Sequence, residues 1–176
     1  MRKRLGVMCS GNGTNFENIV KSCWDHEVVL MVYNNENCGA AQRATKYGIP
    51  SAYFTHKEEA KIINEFKWQK VDYIILAGWM RILSEGFIEA FPNRIINVHP
   101  SLLPKYKGLH AVEQAIHSKD KVTGCTVHYV NNELDGGEII QQAKVPIFDT
   151  DNTEILTKRI QREEYRILPE VIKKLP

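Results

Sequence analysis

Asn97 and His99 stand two apart at the end of the apolar run Ile95–Ile96, inside the stretch NVHPSLLPKYKGLH. Residues two apart on an extended strand point the same way, so a carboxamide and an imidazole can face a common space. Such a pair suits stabilising a developing oxyanion and steering a proton. Pro100 removes a backbone donor and Pro104 restricts the loop that follows. The plain alternative is a strand-end histidine satisfied by a backbone carbonyl, and taken alone these residues favour it.

Asp135 precedes two glycines in NNELDGGEII. Asp-Gly between two strands signals a hairpin. The functional alternative is a loop that presents Asp135 to His99, where a carboxylate favours the protonated imidazole. His110 and His128 are further candidates. The six histidines lack HxH or HxxxH spacing, so no metal site is expected.

A second chemical stretch, CSGNGTNFENIV, opens at Cys9. Gly11 and Gly13 allow a sharp turn and close approach of a ligand. Thr14 and Glu17 have capping-box spacing, which predicts a helix start near residues 13–15. The N–H groups and positive dipole end of that helix favour a phosphate. Phe16 stands where a dinucleotide fingerprint has its third glycine, and no Gly-Lys-Ser/Thr follows. A single phosphate remains, and a tight turn without a ligand fits these residues equally well. In LAGWMRILS, residues 76–84, Gly78 permits close backbone approach. Trp79, Met80, Ile82 and Leu83 line an apolar slot on one reading and belong to the core on the other.

To position these groups the chain must supply strands that end at them. Apolar, β-branched runs alternate with amphipathic stretches, the pattern of a parallel sheet covered by helices. Strands are expected at Leu5–Cys9, Val28–Tyr33, Ser51–Phe54, Tyr73–Ala77 and Ile95–His99. Gly124–Val130 and Glu138–Ile147 leave no room for a helix between them and predict an antiparallel extension. Helices are expected at 14–23, 38–47, 57–68, 84–90 and 111–118. A long last one has Asp151 capping it, Glu154 reaching back, Ile155, Leu156, Ile160 and Leu168 near one stripe, and a kink or split at Pro169. Ligands in such sheets sit outside the carboxyl ends of the strands, where all three chemical stretches fall.

The 176 residues predict one domain, at ~150 residues per domain. Hydrophobic residues at 43% and charged at 25% are globular usage. With 23 Lys+Arg against 21 Asp+Glu, nothing argues for nucleic acid or an acidic membrane as partner. Cys9, Cys23, Cys38 and Cys125 are dispersed, without a CxxC pair, and read as reduced thiols of a cytoplasmic protein. The basic start MRKRLGVMCSGNG reads as a first strand, and no apolar run approaches the ~20 residues of a membrane span.

Taken in order, SGNGTN, LAGWMRILS, NVHPSLLPKYKGLHA, TGCTVHYV and ELDGGEIIQQAKVPI resemble the folate-dependent formyltransferases, and among them the glycinamide ribonucleotide transformylases. The resemblance covers nearly the whole chain. It implies a Rossmann-like α/β formyltransferase fold, with a mostly parallel sheet, helices on both faces and an antiparallel C-terminal extension. It implies one domain, with a phosphate-binding half at 1–99 and a folate-loop and helix half at 100–176. The implied reaction moves a formyl group from 10-formyltetrahydrofolate, as co-substrate and without a metal, to the amine of glycinamide ribonucleotide in purine synthesis.

By position, the resemblance makes Asn97, His99 and Asp135 the catalytic trio. Gly11, Asn12, Gly13, Thr14 and Asn15 take the substrate phosphate. Gly78, Pro100 and Glu164 lie on the ribose and amine side. Trp79, Met80, Arg81, Ile82 and Leu83, with Val130, Asn131, Asn132, Glu133 and Leu134, hold the folate.

Tyr165 departs from the family, which often has histidine there, and the stretch around His56 has no clear counterpart to the family's basic residue for the folate tail. The partners expected are small molecules, with the chain a monomer or homodimer. A deformylase-like hydrolase or another formyl-folate transferase is the alternative. Those relatives usually carry an extra N-terminal or C-terminal domain, so the few residues before the first strand and the single helix after residue 150 favour a small-molecule acceptor. Lys105, Lys107 and Gly108 suggest a mobile, solvated loop.

Overall fold

A computed structural model describes all residues, 1–176. The chain divides into two compact units, Met1–Asn97 and Val98–Pro176.

The first unit contains β1 (Arg4–Cys9), α1 (Thr14–Ser22), β2 (Glu27–Tyr33), α2 (Gly39–Tyr47), β3 (Ser51–Tyr53), α3 (Glu59–Trp68), β4 (Tyr73–Leu76), α4 (Glu85–Ala90) and most of β5 (Ile95–His99). β1 pairs in parallel with β2 and β4, β2 with β3, and β4 with β5. Successive side chains of a strand alternate faces, yet Leu5, Val7, Met8 and Cys9 of β1 and Ile74 and Ile75 of β4 are all buried. Central strands buried on both faces read as continuous apolar runs, which is why the sequence showed them. β3 is a three-residue edge strand with exposed ends, the usual blunting of a free edge. α1 packs on α2, and α3 on α4.

The second unit opens with the last residues of β5, then α5 (Ala111–His117), β6 (Val122–Tyr129), β7 (Ile139–Pro146) and α6 (Thr153–Lys173). β6 and β7 pair antiparallel, with a register shift at Val127/His128. α6 lies on both strands. The strands form one sheet in the order β3-β2-β1-β4-β5-β6-β7. The α/β fold with a mostly parallel sheet and an antiparallel C-terminal extension is therefore as expected.

Three local expectations are corrected. Asn152, not Asp151, caps α6, accepting from Ile155 N at 2.8 Å. Asp151 instead accepts from Phe148 N and takes both terminal nitrogens of Arg159, at 2.5 and 2.8 Å, while Glu154 pairs outward with Lys158. Ile155 is exposed, and the buried stripe runs Leu156, Ile160, Glu164, Ile167 and Val171. Pro169 does not split the helix, which continues unbroken to Lys173. Proline deletes one intrahelical bond, and burial of Ile167, Leu168, Val171 and Ile172 around it holds the last turns in place.

Candidate active site

After Cys9 the chain turns into α1 through Gly13, the N-cap, at φ 77° and ψ 26°. A Cβ there would lie 2.6 Å from Ala40 Cα, so glycine is required both by the left-handed backbone and by the closeness of α2. Ala40 N donates to the Gly11 carbonyl at 3.2 Å, and Arg43 Nε to the Asn12 carbonyl at 2.7 Å. Those carbonyls are thus engaged by α2. The first-turn N–H groups of any helix lack intrahelical acceptors and, with the dipole, make an anion seat.

The expected capping box does not form. Gly13 offers no side chain, and Glu17 falls one position too late for the box. Glu17 instead gathers Arg43, Lys21 at 3.1 Å and the Tyr47 hydroxyl at 2.6 Å.

The turn after β4 is tied to the turn after β1. Ser10 N donates to the Gly78 carbonyl at 3.0 Å, and Met80 N to Ser10 Oγ at 2.9 Å. Residues 79–83 do not make one apolar slot. Trp79 and Leu83 are buried, as the core reading had it, while Met80 and Ile82 are 63% and 77% exposed and Arg81 is exposed. The segment is irregular, so its side chains splay instead of sharing a face. Met80 and Arg81 join Ser10, Asn35, Tyr53 and His56 around an open cavity of about 670 Å³. Trp79 Nε1 is buried without a hydrogen-bond partner, and an unmet buried donor asks for an explanation.

In the second unit, β5 ends at His99, which is 5% exposed. Its Nδ1 lies 3.4 Å from Asp135 Oδ2 and its Nε2 lies 2.8 Å from the Tyr106 carbonyl. One ring nitrogen thus meets a backbone carbonyl and the other lies beside a carboxylate. Asp135 also accepts from Gly108 N at 2.7 Å.

No tight Asp-Gly turn forms. Residues 130–138 make a longer loop closed by Tyr129 N donating to Glu138 O, with Asp135 in the left-handed region at φ 49°. Backbone conformations of this kind in non-glycine residues gather at functional sites. A Cβ on Gly137 would collide with the Tyr129 carbonyl, which fixes glycine there.

His128, 2% exposed, places Nε2 3.8 Å from Asp135 Oδ1, and its Nδ1 meets the Tyr129 carbonyl at 2.8 Å. Burial holds its pKa below the ordinary imidazole value, against the pull of that carbonyl and of Asp135. Asp135 is thus shared by two histidines. His110 is elsewhere engaged, exposed and beside Glu113 at 3.4 Å.

The 105–108 loop is anchored more than its composition suggested. Lys105 and the Tyr106 hydroxyl both meet Asp120, and Lys107 meets Glu133 at 3.0 Å. These partners hold Asp120 below the usual carboxylate range. Val130 is half-buried, while Asn131, Asn132, Glu133 and Leu134 form an exposed tip that an Asn131–Glu133 turn stiffens. Pro100 is half-buried directly after His99.

Glu164 sits on the buried stripe of α6, 7% exposed, and helps burial push the Cys125 thiol up to about 12. No group of three or more His, Cys, Asp or Glu side chains is arranged to hold a metal ion.

The Tyr106 carbonyl and the Gly108 N–H escaped the sequence reading, because main-chain groups carry no residue signature. Glu164, named from the resemblance, lies as a carboxylate on the apolar stripe of Leu156, Ile160 and Val171.

Residues 3–172 match the family of formyl transferases. The chain belongs to that family. It is 40% identical over 182 residues to the phosphoribosylglycinamide formyltransferase of Haemophilus influenzae, covering 97% of this chain and 86% of that protein. It is also 40% identical to the trifunctional purine biosynthetic protein adenosine-3 of Drosophila melanogaster, but there 97% of the chain spans only 14% of the relative's length. The crystal structure of glycinamide ribonucleotide transformylase 1 from Symbiobacterium toebii superposes with a TM-score of 0.95 at 37% identity, covering 98% of this chain and 86% of that one.

Proposed function

We propose that this formyl transferase moves the formyl group of 10-formyltetrahydrofolate to the amine of glycinamide ribonucleotide, giving formylglycinamide ribonucleotide and tetrahydrofolate in purine biosynthesis. The observation that carries the reading is the buried His99–Asp135 contact at the end of the strand that bears Asn97. It occurs in a chain matched almost throughout by a phosphoribosylglycinamide formyltransferase. We treat the two units as one formyltransferase domain, since the family match runs through both.

In this reading the nucleotide's amine attacks the formyl carbon, and the carbonyl oxygen becomes an oxyanion. The Asn97 amide and His99 stabilise it, a role that fixed donors fill at low cost because they need no reorganisation. His99 Nε2–H is committed to the Tyr106 carbonyl, so Nδ1 is its working nitrogen. At 3.4 Å the Nδ1–Asp135 contact is longer than a charge-assisted hydrogen bond of about 2.7–2.9 Å. That length leaves Nδ1–H able to turn to the substrate. Asp135 then takes up, through water, the proton that the amine loses and returns it to N10 of the folate, so that the C–N10 bond breaks and tetrahydrofolate leaves as a neutral amine.

The Gly11, Asn12, Gly13, Thr14 and Asn15 turn takes the phosphate. Gly78, Pro100 and Glu164 serve the ribose and amine side. Residues 79–83 and 130–134 serve the folate, and an acceptor on that ligand would satisfy Trp79 Nε1. The partners are small molecules, with the chain a monomer or homodimer. A cytoplasmic location fits four buried cysteines, and no helix is long and apolar enough to cross a membrane.

The test is to follow tetrahydrofolate release from 10-formyltetrahydrofolate with and without glycinamide ribonucleotide. Release that requires the nucleotide supports the reading. Release without it points to a hydrolase, and no release removes the activity.

A further inference from the structure

The Tyr106 carbonyl that holds His99 belongs to a residue in an unfavourable backbone conformation. Tyr106 has φ 56°, a region that bulky side chains rarely adopt and that persists only when the surroundings enforce it. Two sets of bonds enforce it here. On the main chain, Ser101 Oγ donates to the carbonyl of the preceding Lys105 at 2.5 Å. At the far end of the side chain, the Tyr106 hydroxyl donates to Asp120 Oδ2 at 2.6 Å, and Lys105 Nζ reaches the same oxygen at 2.8 Å. Asp120 lies in the turn after α5, where its N–H donates to Ser118 Oγ at 3.1 Å. The loop thus leaves Ser101 and returns to Asp120, and its middle delivers a carbonyl to His99 Nε2 at 2.8 Å.

We propose that Asp120 is a positioning residue for His99, acting through Tyr106. The proposal deepens the formyl-transfer reading and rests on it for its catalytic consequence.

The physical content concerns which ring nitrogen carries the proton. A carbonyl only accepts, so the Tyr106 carbonyl at 2.8 Å keeps a proton on Nε2, against the more distant Asp135 carboxylate at 3.4 Å from Nδ1, and leaves Nδ1 as the nitrogen that faces Asp135 and the substrate. The other polar groups that face this imidazole are Asp135, beside Nδ1, and His128, on the far side of Asp135. Neither fixes Nε2. Releasing Tyr106 from Asp120 removes the restraint on its left-handed backbone, the carbonyl swings away, and both tautomers of neutral His99 become populated. Gly108 N, two residues on in the same loop, donates to Asp135 Oδ2, so the same release loosens the carboxylate partner.

The test compares the intact protein with Asp120→Ala, Tyr106→Phe and the double variant, using nitrogen NMR of the His99 imidazole together with steady-state kinetics. The expected result is a wild-type neutral His99 protonated on Nε2. Both single variants should show mixed tautomers and a kcat lower by roughly tenfold, with both KM values nearly unchanged. The double variant should be no worse than either single one, because the two residues act in series. A wild-type His99 protonated on Nδ1 overturns the proposal. So does a pure Nε2 tautomer in Asp120→Ala, even if that variant has lost thermal stability, since a merely structural role would lower stability without moving the tautomer. If the wild-type protein fails to transfer formyl, the function reading falls, and the NMR result alone still decides whether Asp120 positions His99.

Discussion

The Gly11–Asn15 turn and the His99–Asp135 pair are built in opposite ways. In the turn, Gly11 and Asn12 are exposed and the holding is done from behind: α2 closes on Gly13 and binds two carbonyls. The pair is buried, with His99 and Asp135 side chains 7% and 8% exposed, and each member is gripped by main chain from the 106–108 loop. The contrast fits what each must do. A phosphate arrives hydrated and fully charged, so an open array of backbone donors suffices and needs no side-chain chemistry. A group that must stabilise charge appearing only in the transition state gains from a water-poor setting, where fixed dipoles act more strongly. On the proposed function, backbone shape would govern substrate binding at the first region, and protonation and orientation would govern turnover at the second.

Asp135→Asn should separate the two most sharply. It keeps the volume and removes the charge beside His99, so kcat should fall roughly 10²–10⁴-fold while the nucleotide KM changes little. Steady-state kinetics on the folded variant decide this, and a near-wild-type kcat would take Asp135 out of the mechanism.

Gly13→Val attacks the other region. A β-branched residue at φ 77° against Ala40 costs about 1–3 kcal/mol in strain. The nucleotide KM should rise roughly 10–100-fold and the folate KM far less. Equal weakening of both ligands, measured by titration calorimetry, would remove the turn as the phosphate seat.

A smaller effect concerns stability in acid. His128 has its folded pKa lowered by burial, so the unfolded chain takes up the proton first as pH falls. The stability tied to neutral His128 is full above the unfolded value of about 6.5 and is lost as pH drops through the folded one. Urea midpoints at pH 7.5 and 5.5 should differ less in His128→Gln than in the wild type. An identical pH slope in both proteins would contradict the assignment.

Least costly should be Trp79→Phe, which removes the buried Nε1 donor that lacks a partner. The folate KM should rise about 2–10-fold if the ligand meets that donor, and kcat should hold. Increased stability with an unchanged KM would show Trp79 to be core alone.

Element existence was plain in the sequence because it follows from local periodicity. Tyr73–Leu76 and Ile95–His99 could be read almost to the residue, since buried parallel strands write themselves as unbroken β-branched runs. The helix caps were displaced by a residue wherever neighbouring Asp, Asn, Thr and Gly could each serve. Asp151 and Asn152 exchanged roles because Arg159, eight residues on, claims Asp151. Glu17 left its cap for Lys21, one turn on in the same helix, and for Arg43 and Tyr47, which only the packing of α1 on α2 brings near. Residues 79–83 could not be divided into core and surface without the course of an irregular segment, which no period describes.

By itself the sequence determined the alternation of strands and helices, the glycines at the first turn, and the side-chain types at Asn97, His99 and Asp135, because those depend on residue identity and short-range spacing. Tertiary structure alone decided that Asp135 lies between two histidines, that the Tyr106 carbonyl meets His99 Nε2, and that the Tyr106 hydroxyl meets Asp120. These are contacts between residues far apart along the chain, several through main-chain atoms common to every residue, so their specificity resides in the path of the backbone.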